Sequence, residues 1–363
     1  MRRSVQRVLI LAAVLGIGGS VGAQLRIADI PYDSAADVLQ GLPDDVYIGE
    51  AAGVATNSQG HLFVYTRTGS PQLTLGTERN FHRGNGAARL FEFGPTGKYM
   101  REIGQGLYGF VFAHTVRVDP QDNIWTVDEG SGTIVKFNPQ GQVQMVLGRA
   151  PEYLPMPNFE RANSMGTIAK PTGPVGIGVE GDEFDRPTDV TWDKQGNIFI
   201  ADGHVNSRIA KFDANGRFVK SWGSQGTAPG QFNVPHSLVA DAQGNVYVAD
   251  RDNRRIQVFD NNGTFKAQFI NVATPWTLCI TPGPHQYLYS SNSNDPREFD
   301  KDGEIYKMEL DGRVIGRFGR AGRLMKEFST VHGIDCRNEN ELYVGELTSW
   351  RVQKLTLRPN QAK

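Results

Sequence analysis

The stretch Gln231 to Phe259 reads QFNVPHSLVADAQGNVYVADRDNRRIQVF. An apolar opening at Val234, Leu238 and Val239 runs into the turn Asp241-Ala-Gln-Gly244. An alternating run Val246-Tyr-Val248 follows, then the corner Ala249-Asp-Arg251 and a third run, Ile256-Gln-Val-Phe259. Short runs of β-branched and aromatic residues between Gly, Asn and Asp turns predict antiparallel strands; a helix would repeat its apolar positions every three or four residues.

The unit recurs along the chain. Anchoring each copy on the turn position of Gly244 and counting eight residues back finds six copies. Their turn anchors are Gly60, Asp122, Gly196, Gly244, Pro284 and Asn340, and their heads are Ala52, His114, Thr188, His236, Trp276 and His332. Third and fourth runs follow in most copies, such as Ile134-Val-Lys-Phe137 and Val143-Gln-Met-Val146. Each copy is thus a four-stranded sheet of roughly 40–50 residues, the size of a propeller blade. The fold expected is an all-β, six-bladed β-propeller. The last copy has three strands and ends near Thr356, so the segment Leu25 to Ile30 is expected to supply the fourth strand, closing the ring and removing its free edge.

Residues 1–23 read as an export signal: Arg2, Arg3 and Arg7, an apolar run from Val8 to Ile17, and small residues ending at Ala23. The run is too short for a bilayer span, so an exported protein, periplasmic or extracellular, with no membrane span is expected. Residues 24–363 then form one propeller domain. A GxSxG match at Gly18 to Gly22 falls inside the leader and is no nucleophile elbow. Two insertions break the period, residues 149–183 between the second and third copies and Ser70 to Gly86 within the first. The GxGxxG match at Gly176 to Gly181 has no strand before it and no helix after it, so it does not read as a dinucleotide site.

Taking the three leader arginines from the 38 basic residues leaves 35 against 39 acidic ones. A chain this close to neutral is not built to bind nucleic acid. Forty-two glycines suit a turn-rich β architecture. Export permits a disulfide, and two cysteines allow one. Cys279 and Cys336 lie three and four residues after their heads, opposite parity on equivalent strands, and are expected to meet between the fifth and sixth blades.

Histidine fills the head of copies two, four and six only. In a closed six-fold ring, alternate heads form a triangle about the axis at one mouth of the channel. His114, His236 and His332 converging there would supply three nitrogen ligands and leave a coordination position open, the pattern of a catalytic zinc. The end of the second strand reaches the same mouth. It offers Arg67 in copy one and Arg251 in copy four, on opposite sides of the ring, with Glu129 in copy two and Gly203 followed by His204 in copy three. Two facing guanidiniums suit a small carboxylate or oxyanion.

The segments Leu62-Phe-Val-Tyr-Thr-Arg67, Ile200-Ala-Asp-Gly-His-Val-Asn-Ser-Arg208, Pro229-Gly-Gln-Phe-Asn-Val-Pro-His-Ser237 and Val248-Ala-Asp-Arg-Asp-Asn-Arg-Arg-Ile-Gln257 resemble peptidyl-α-hydroxyglycine α-amidating lyase, a propeller of NHL-type repeats. The resemblance covers nearly all of the mature chain. It implies zinc on His114, His236 and His332, active-site arginines at Arg67 and Arg251, and cleavage of the C–N bond of a peptidyl- or acyl-α-hydroxyglycine to an amide and glyoxylate. The family's catalytic tyrosine falls on His204, so the resemblance implies an imidazole base there, or a fourth metal ligand. The family's acidic calcium ligand falls on Gly333, which argues against calcium. Its cysteine pairs and its partner copper monooxygenase have no counterpart here, so such a lyase would work alone or with a separately encoded hydroxylase.

Two other classes compete with this reading. A non-catalytic NHL-repeat propeller would bind a peptide or glycan across one face. A calcium-dependent lactonase-like hydrolase would need carboxylate and amide ligands in the channel, where the heads are His, Ala, Thr and Trp.

Overall fold

The computed structural model describes residues 27–44, 46–68, 88–148, 183–293 and 301–359. The leader, both glycine-motif matches, the insertion Ser70 to Gly86 and nearly all of the 149–183 insertion lie outside these residues. No described helix is long and apolar enough to cross a membrane.

Six four-stranded antiparallel sheets are present, one for each sequence repeat. The innermost strands are Glu50–Thr56, Ala113–Val118, Asp189–Trp192, Pro235–Ala240, Pro275–Ile280 and Val331–Asn338. Each packs against its counterparts in the blades on either side, which makes a six-membered ring. The molecule is therefore a six-bladed β-propeller. Apolar side chains fill the gaps between blades: Phe199, Ile209 and Phe232 meet Leu238, Val248 and Phe259 between blades 3 and 4.

The turn at the foot of each inner hairpin is set by its first residue. Asp119, Asp193 and Asp241 each accept two backbone N–H groups through Oδ1, at 2.8 to 2.9 Å, and Asn57 does the same in blade 1. These Asx turns explain why the repeat is so readable in sequence. At the other end, a buried acid closes the second strand and accepts an N–H from the loop entering its own inner strand. Asp128 takes Val111 N and Phe112 N, Asp202 takes Asp185 N, Asp250 takes Asn233 N and Glu346 takes Ser329 N. Those loops lead into the head residues, so the acids fix the floor on which the site stands.

The ring is closed by an N-terminal strand, but not the one expected. Tyr32–Ala35 pairs with Arg351–Leu357 to complete blade 6. The more strand-like residues upstream lie one blade away: Ile30 N donates to Arg317 O and Arg317 N to Ala28 O, beside the outer strand of blade 5. Ile30 of the upstream segment is buried between blades 5 and 6. Cys279 and Cys336 form a disulfide, Cα atoms 6.0 Å apart, joining the inner strands of blades 5 and 6 as expected.

Beneath the heads the channel is filled. Arg117 crosses it, donating to both Asp189 oxygens at 2.9 and 2.5 Å, to Ser237 Oγ at 3.2 Å and to Leu278 O at 3.0 Å. One guanidinium thus ties the inner strands of blades 2, 3, 4 and 5. A buried pair so fully hydrogen-bonded avoids the desolvation loss that an isolated charge would suffer.

Candidate metal centre

Four of the six head residues sit where the pairing of inner and second strands slips by one residue. The register shifts between Ala51 and Gly53, Ala113 and Thr115, Pro235 and Ser237, and Val331 and Gly333, leaving Ala52, His114, His236 and His332 as the unpaired residue of a β-bulge. A bulge re-aims one side chain out of the alternation. Here it turns three imidazoles from blades 2, 4 and 6 toward the axis. Their ring centroids are 4.6, 4.7 and 5.0 Å apart, and one ligand atom from each lies within 4.8 Å of the others.

The tautomers of two rings are set by the neighbouring blade. His236 Nδ1 donates to Trp276 O and His332 Nδ1 to Ala52 O, both at 2.7 Å. Each acceptor is the head residue of the next blade, and each bond leaves Nε2 as a bare acceptor facing the centre, the usual way a ligating histidine is oriented. His114 differs: its Nδ1 is buried with no partner among the described residues. Burial lowers the pKa of all three rings, His332 to about 3, with neighbouring histidines and arginines adding to the effect. They are neutral at ordinary pH, as ligands must be. The donor set fits a divalent metal of zinc type. At the position after His332, a Cβ on Gly333 would stand 3.0 Å from Val54 N and 3.1 Å from Gly53 Cα, so the backbones of blades 6 and 1 pack where an acidic side chain would need space.

His204 lies against this triad. Its Nε2 is 3.3 Å from His114 Nε2, and its ring centroid is 5.4 Å from those of His114 and His236. It gets there through one extra residue. In blade 4 the backbone N–H of Arg251 donates to Val234 O, while in blade 3 the equivalent bond runs from His204 to Arg186 O. Gly203 is the inserted residue, and a Cβ there would sit 2.1 Å from Pro235 O. The pKa of His204 is lowered to about 3, first by burial and then by Arg186, Arg251 and Arg67, with Glu129 opposing. The enclosure of the site contributes more than the cations do.

The two arginines prove unequal. Arg67 is committed: Nε donates to Ala113 O at 2.8 Å, Nη1 to Glu50 at 3.1 Å, and the guanidinium lies 3.8 Å over the Phe112 ring. Arg251 lies 4.6 Å over Trp276 and donates through Nε to Asp252 at 2.8 Å. Two residues that the sequence left without a role complete the mouth. Arg186, two positions before the blade 3 head and at φ 63°, pairs with buried Glu129. Burial alone would raise Glu129, but Arg186, His204 and Arg67 outweigh it and hold the carboxyl at about 2. Trp276, the blade 5 head, packs its indole 5.1 Å from the His236 ring. A left-handed arginine leaves no mark in sequence, whereas Trp276 was visible as a head but not as a wall.

Comparison with known proteins agrees with this architecture. The NHL repeat model matches residues 232–259. The chain is 28% identical over 333 residues to peptidyl-glycine alpha-amidating monooxygenase B of Xenopus laevis, covering 87% of this chain and 34% of that protein. It is 27% identical over 283 residues to peptidyl-alpha-hydroxyglycine alpha-amidating lyase 1 of Drosophila melanogaster, covering 72% of this chain and 47% of that protein. It therefore spans about a third of the frog protein and about half of the fly one. Among solved structures it is similar to virginiamycin B lyase from Staphylococcus aureus with quinupristin, at TM-score 0.54 and 11% identity over 90% of this chain and 100% of that one. That likeness concerns the propeller alone.

Proposed function

We propose, from the chain's kinship with peptidyl-α-hydroxyglycine α-amidating lyases, that it is an exported, zinc-dependent carbon–nitrogen lyase. Its substrate would be a peptide or acyl group ending in α-hydroxyglycine, and its products an amide and glyoxylate. The observation that carries this reading is the convergence of three neutral imidazoles, two fixed by carbonyls, beside a fourth imidazole and the Arg251 guanidinium. A non-catalytic propeller binding a peptide or glycan would have no use for it.

His114, His236 and His332 would hold the metal, which supplies Lewis-acid polarisation of the substrate hydroxyl when bound. The free edge of the Arg251 guanidinium is offered to the substrate carboxylate, with Trp276 holding its plane. Arg67, already committed to Glu50 and Ala113 O, keeps the blade 1 and blade 2 walls together and adds positive potential. His204 is the proton acceptor. As it takes the hydroxyl proton, the C–O bond becomes a carbonyl, the C–N bond breaks, and the proton passes to the departing amide nitrogen. Hydroxylation at the α-carbon of a C-terminal glycine would make the substrate.

The decisive experiment is glyoxylate release from a simple N-acyl α-hydroxyglycine by purified protein, with metal content measured alongside. Stoichiometric zinc and metal-dependent release are the expected result; protein that binds no metal and releases none is the non-catalytic propeller. Within an active enzyme, His204→Ala should lower turnover about 10²–10⁴-fold, and His204→Tyr should restore much of it. Unaltered turnover in His204→Ala would remove the residue from the mechanism.

A further inference from the structure

The guanidiniums at the mouth differ in what they leave free. Arg67 uses Nε on Ala113 O and Nη1 on Glu50, and Arg251 uses Nε on Asp252. Arg186 has one hydrogen-bond partner among the described residues, Glu129 Oε1, which it reaches through Nη2. Its side chain is 8% exposed, yet none of its nitrogens is both sealed in and unpartnered, so its remaining N–H groups reach open space at the mouth. The fold does not ask for an arginine there. The equivalent residue of blade 4 is Val234, which has the same left-handed backbone, φ 59° against 63°, and offers the same carbonyl to the corner of its blade. What blade 3 adds to the repeat is the cation.

Glu129 holds that cation in place. Its side chain is 4% exposed, with Oε1 on Arg186 and Oε2 4.0 Å from Arg67 Nη2 and 3.8 Å from His204 Nε2. Arg67, Arg186 and Arg251 are each 16% exposed or less, whereas the other two acids that pair with them, Glu50 and Asp252, are 34% and 42% exposed. The enclosed part of the mouth therefore carries more positive than negative charge, which a bound anion would offset. His204 marks where. Its backbone N–H donates to Arg186 O, and of the cations acting on its ring Arg186 comes first and Arg251 second. In an α-hydroxy acid the carboxylate and the hydroxyl share one carbon, so cations that hold the carboxylate belong beside the group that takes the hydroxyl proton.

We propose that Arg186, positioned by Glu129, holds the substrate carboxylate together with Arg251, and that this pair selects α-hydroxy acids over their uncharged analogues. The inference rests on the reading of the mouth as an α-hydroxyglycine site and deepens it by naming the second carboxylate-binding residue. Arg67, with its donors committed to Ala113 O and Glu50, belongs to the wall. Glu129 fixes the plane of the Arg186 guanidinium, so that the free N–H groups are presented as a fork.

The test compares binding of glyoxylate and of its uncharged amide, glyoxylamide, to the purified zinc-loaded protein by titration calorimetry. The wild type is expected to prefer the carboxylate. Arg186→Gln should reduce that preference about 10–100-fold, the range for a hydrogen bond between charged groups, and leave glyoxylamide binding unchanged. Arg186→Lys keeps the ion pair with Glu129 but not the fork, and Glu129→Gln frees the guanidinium to turn; each should reduce the preference by a smaller factor. A preference unchanged in Arg186→Gln overturns the proposal, as does a wild type with no preference, and if Arg186→Gln does not fold, an unchanged preference in Arg186→Lys overturns it instead. An unchanged preference in Glu129→Gln removes Glu129 from it. Loss of the preference in Arg186→Gln, with a wild type that releases no glyoxylate from N-acyl α-hydroxyglycine, would sink the lyase reading and leave the carboxylate site standing; release with the preference unchanged in the Arg186 variants would do the reverse.

Discussion

Blades 4 and 5 and blades 2 and 3 are two versions of one device. In the first pair, a histidine on a β-bulge is clamped by the next head's carbonyl, and the corner beyond the second strand presents Arg251. In the second pair the bulge and the histidine are retained, the clamp is missing, and one added glycine replaces the arginine with His204. The contrast teaches that repeat architecture fixes where a side chain points more firmly than what it does. A head position always faces the mouth, while its chemistry depends on a neighbour one blade away.

The clamped pair is the place to break the site. His236→Ala should abolish zinc binding in a dialysed sample and lower any glyoxylate release by about 10³-fold or more, since a metal supplies several kcal/mol of charge stabilisation. Retention of a full equivalent of zinc would mean that His236 is only a filler of the channel.

Acid should act on both pairs together. The four rings have pKa values held below 6.5 by burial, about 3 for His204 and His332. The unfolded chain binds protons at these sites below pH 6.5, whereas the folded chain resists protonation at all four, and at His204 and His332 does so down to about 3. Their contribution to stability is therefore complete above 6.5 and is lost as pH falls through that window. Each adds up to about 1.4 kcal/mol per pH unit to the slope. Asp202, raised to about 6 by burial, works the other way below pH 6. Asp128, Asp185, Asp250 and Asp335, also raised by burial, act in the same sense as Asp202. Denaturant titrations of metal-free protein from pH 7 to pH 4 should therefore show His204→Ala losing less stability, or gaining more, than the wild type as pH falls. An identical pH dependence in the two would show that His204 is protonated in the fold.

The smallest change sharpens the comparison most directly. Gly203→Ala places a methyl 2.1 Å from Pro235 O and 2.8 Å from Thr188, so the blade 3 corner must move and carry His204 with it. The expected cost is about 1–3 kcal/mol in denaturant midpoint analysis, the range for overpacking. The corresponding change in the clamped pair, Asp252→Ala, should be near neutral in stability, because the Asp252 side chain is exposed. Equal costs at the two corners would mean that the inserted glycine is no tighter than an ordinary loop.

Much of this was legible before any coordinates. The Asx turns recur at fixed spacing, so the six copies and their phase could be counted, and phase alone brought His114, His236 and His332 to one mouth. Arg67, Arg251 and His204 were found because the second strand returns to that mouth. Other features depend on backbone geometry that residue types do not record. Arg186 reaches Glu129 from a left-handed conformation, and the clamps on His236 and His332 are carbonyls, which every residue has. The closing strand was misplaced because Tyr-Asp-Ser-Ala at 32–35 is short and polar, whereas Ile30 just upstream is buried between blades 5 and 6.

The clasp of the ring has a kinetic meaning. Tyr32–Ala35 meets Arg351–Leu357, and Arg358 reaches Asp33 across 325 residues of sequence. Five blades can zip up from contacts between near neighbours along the chain, whereas the sixth waits for the most distant strand pairing among the described residues, whose loop entropy is compensated only once the others have formed. Until then Arg351–Leu357 is a bare edge, open to a strand from another chain. The interval between finishing the fifth blade and fastening the clasp is therefore when this protein is most exposed to misassembly, and the rate of that one step governs how long the exposure lasts.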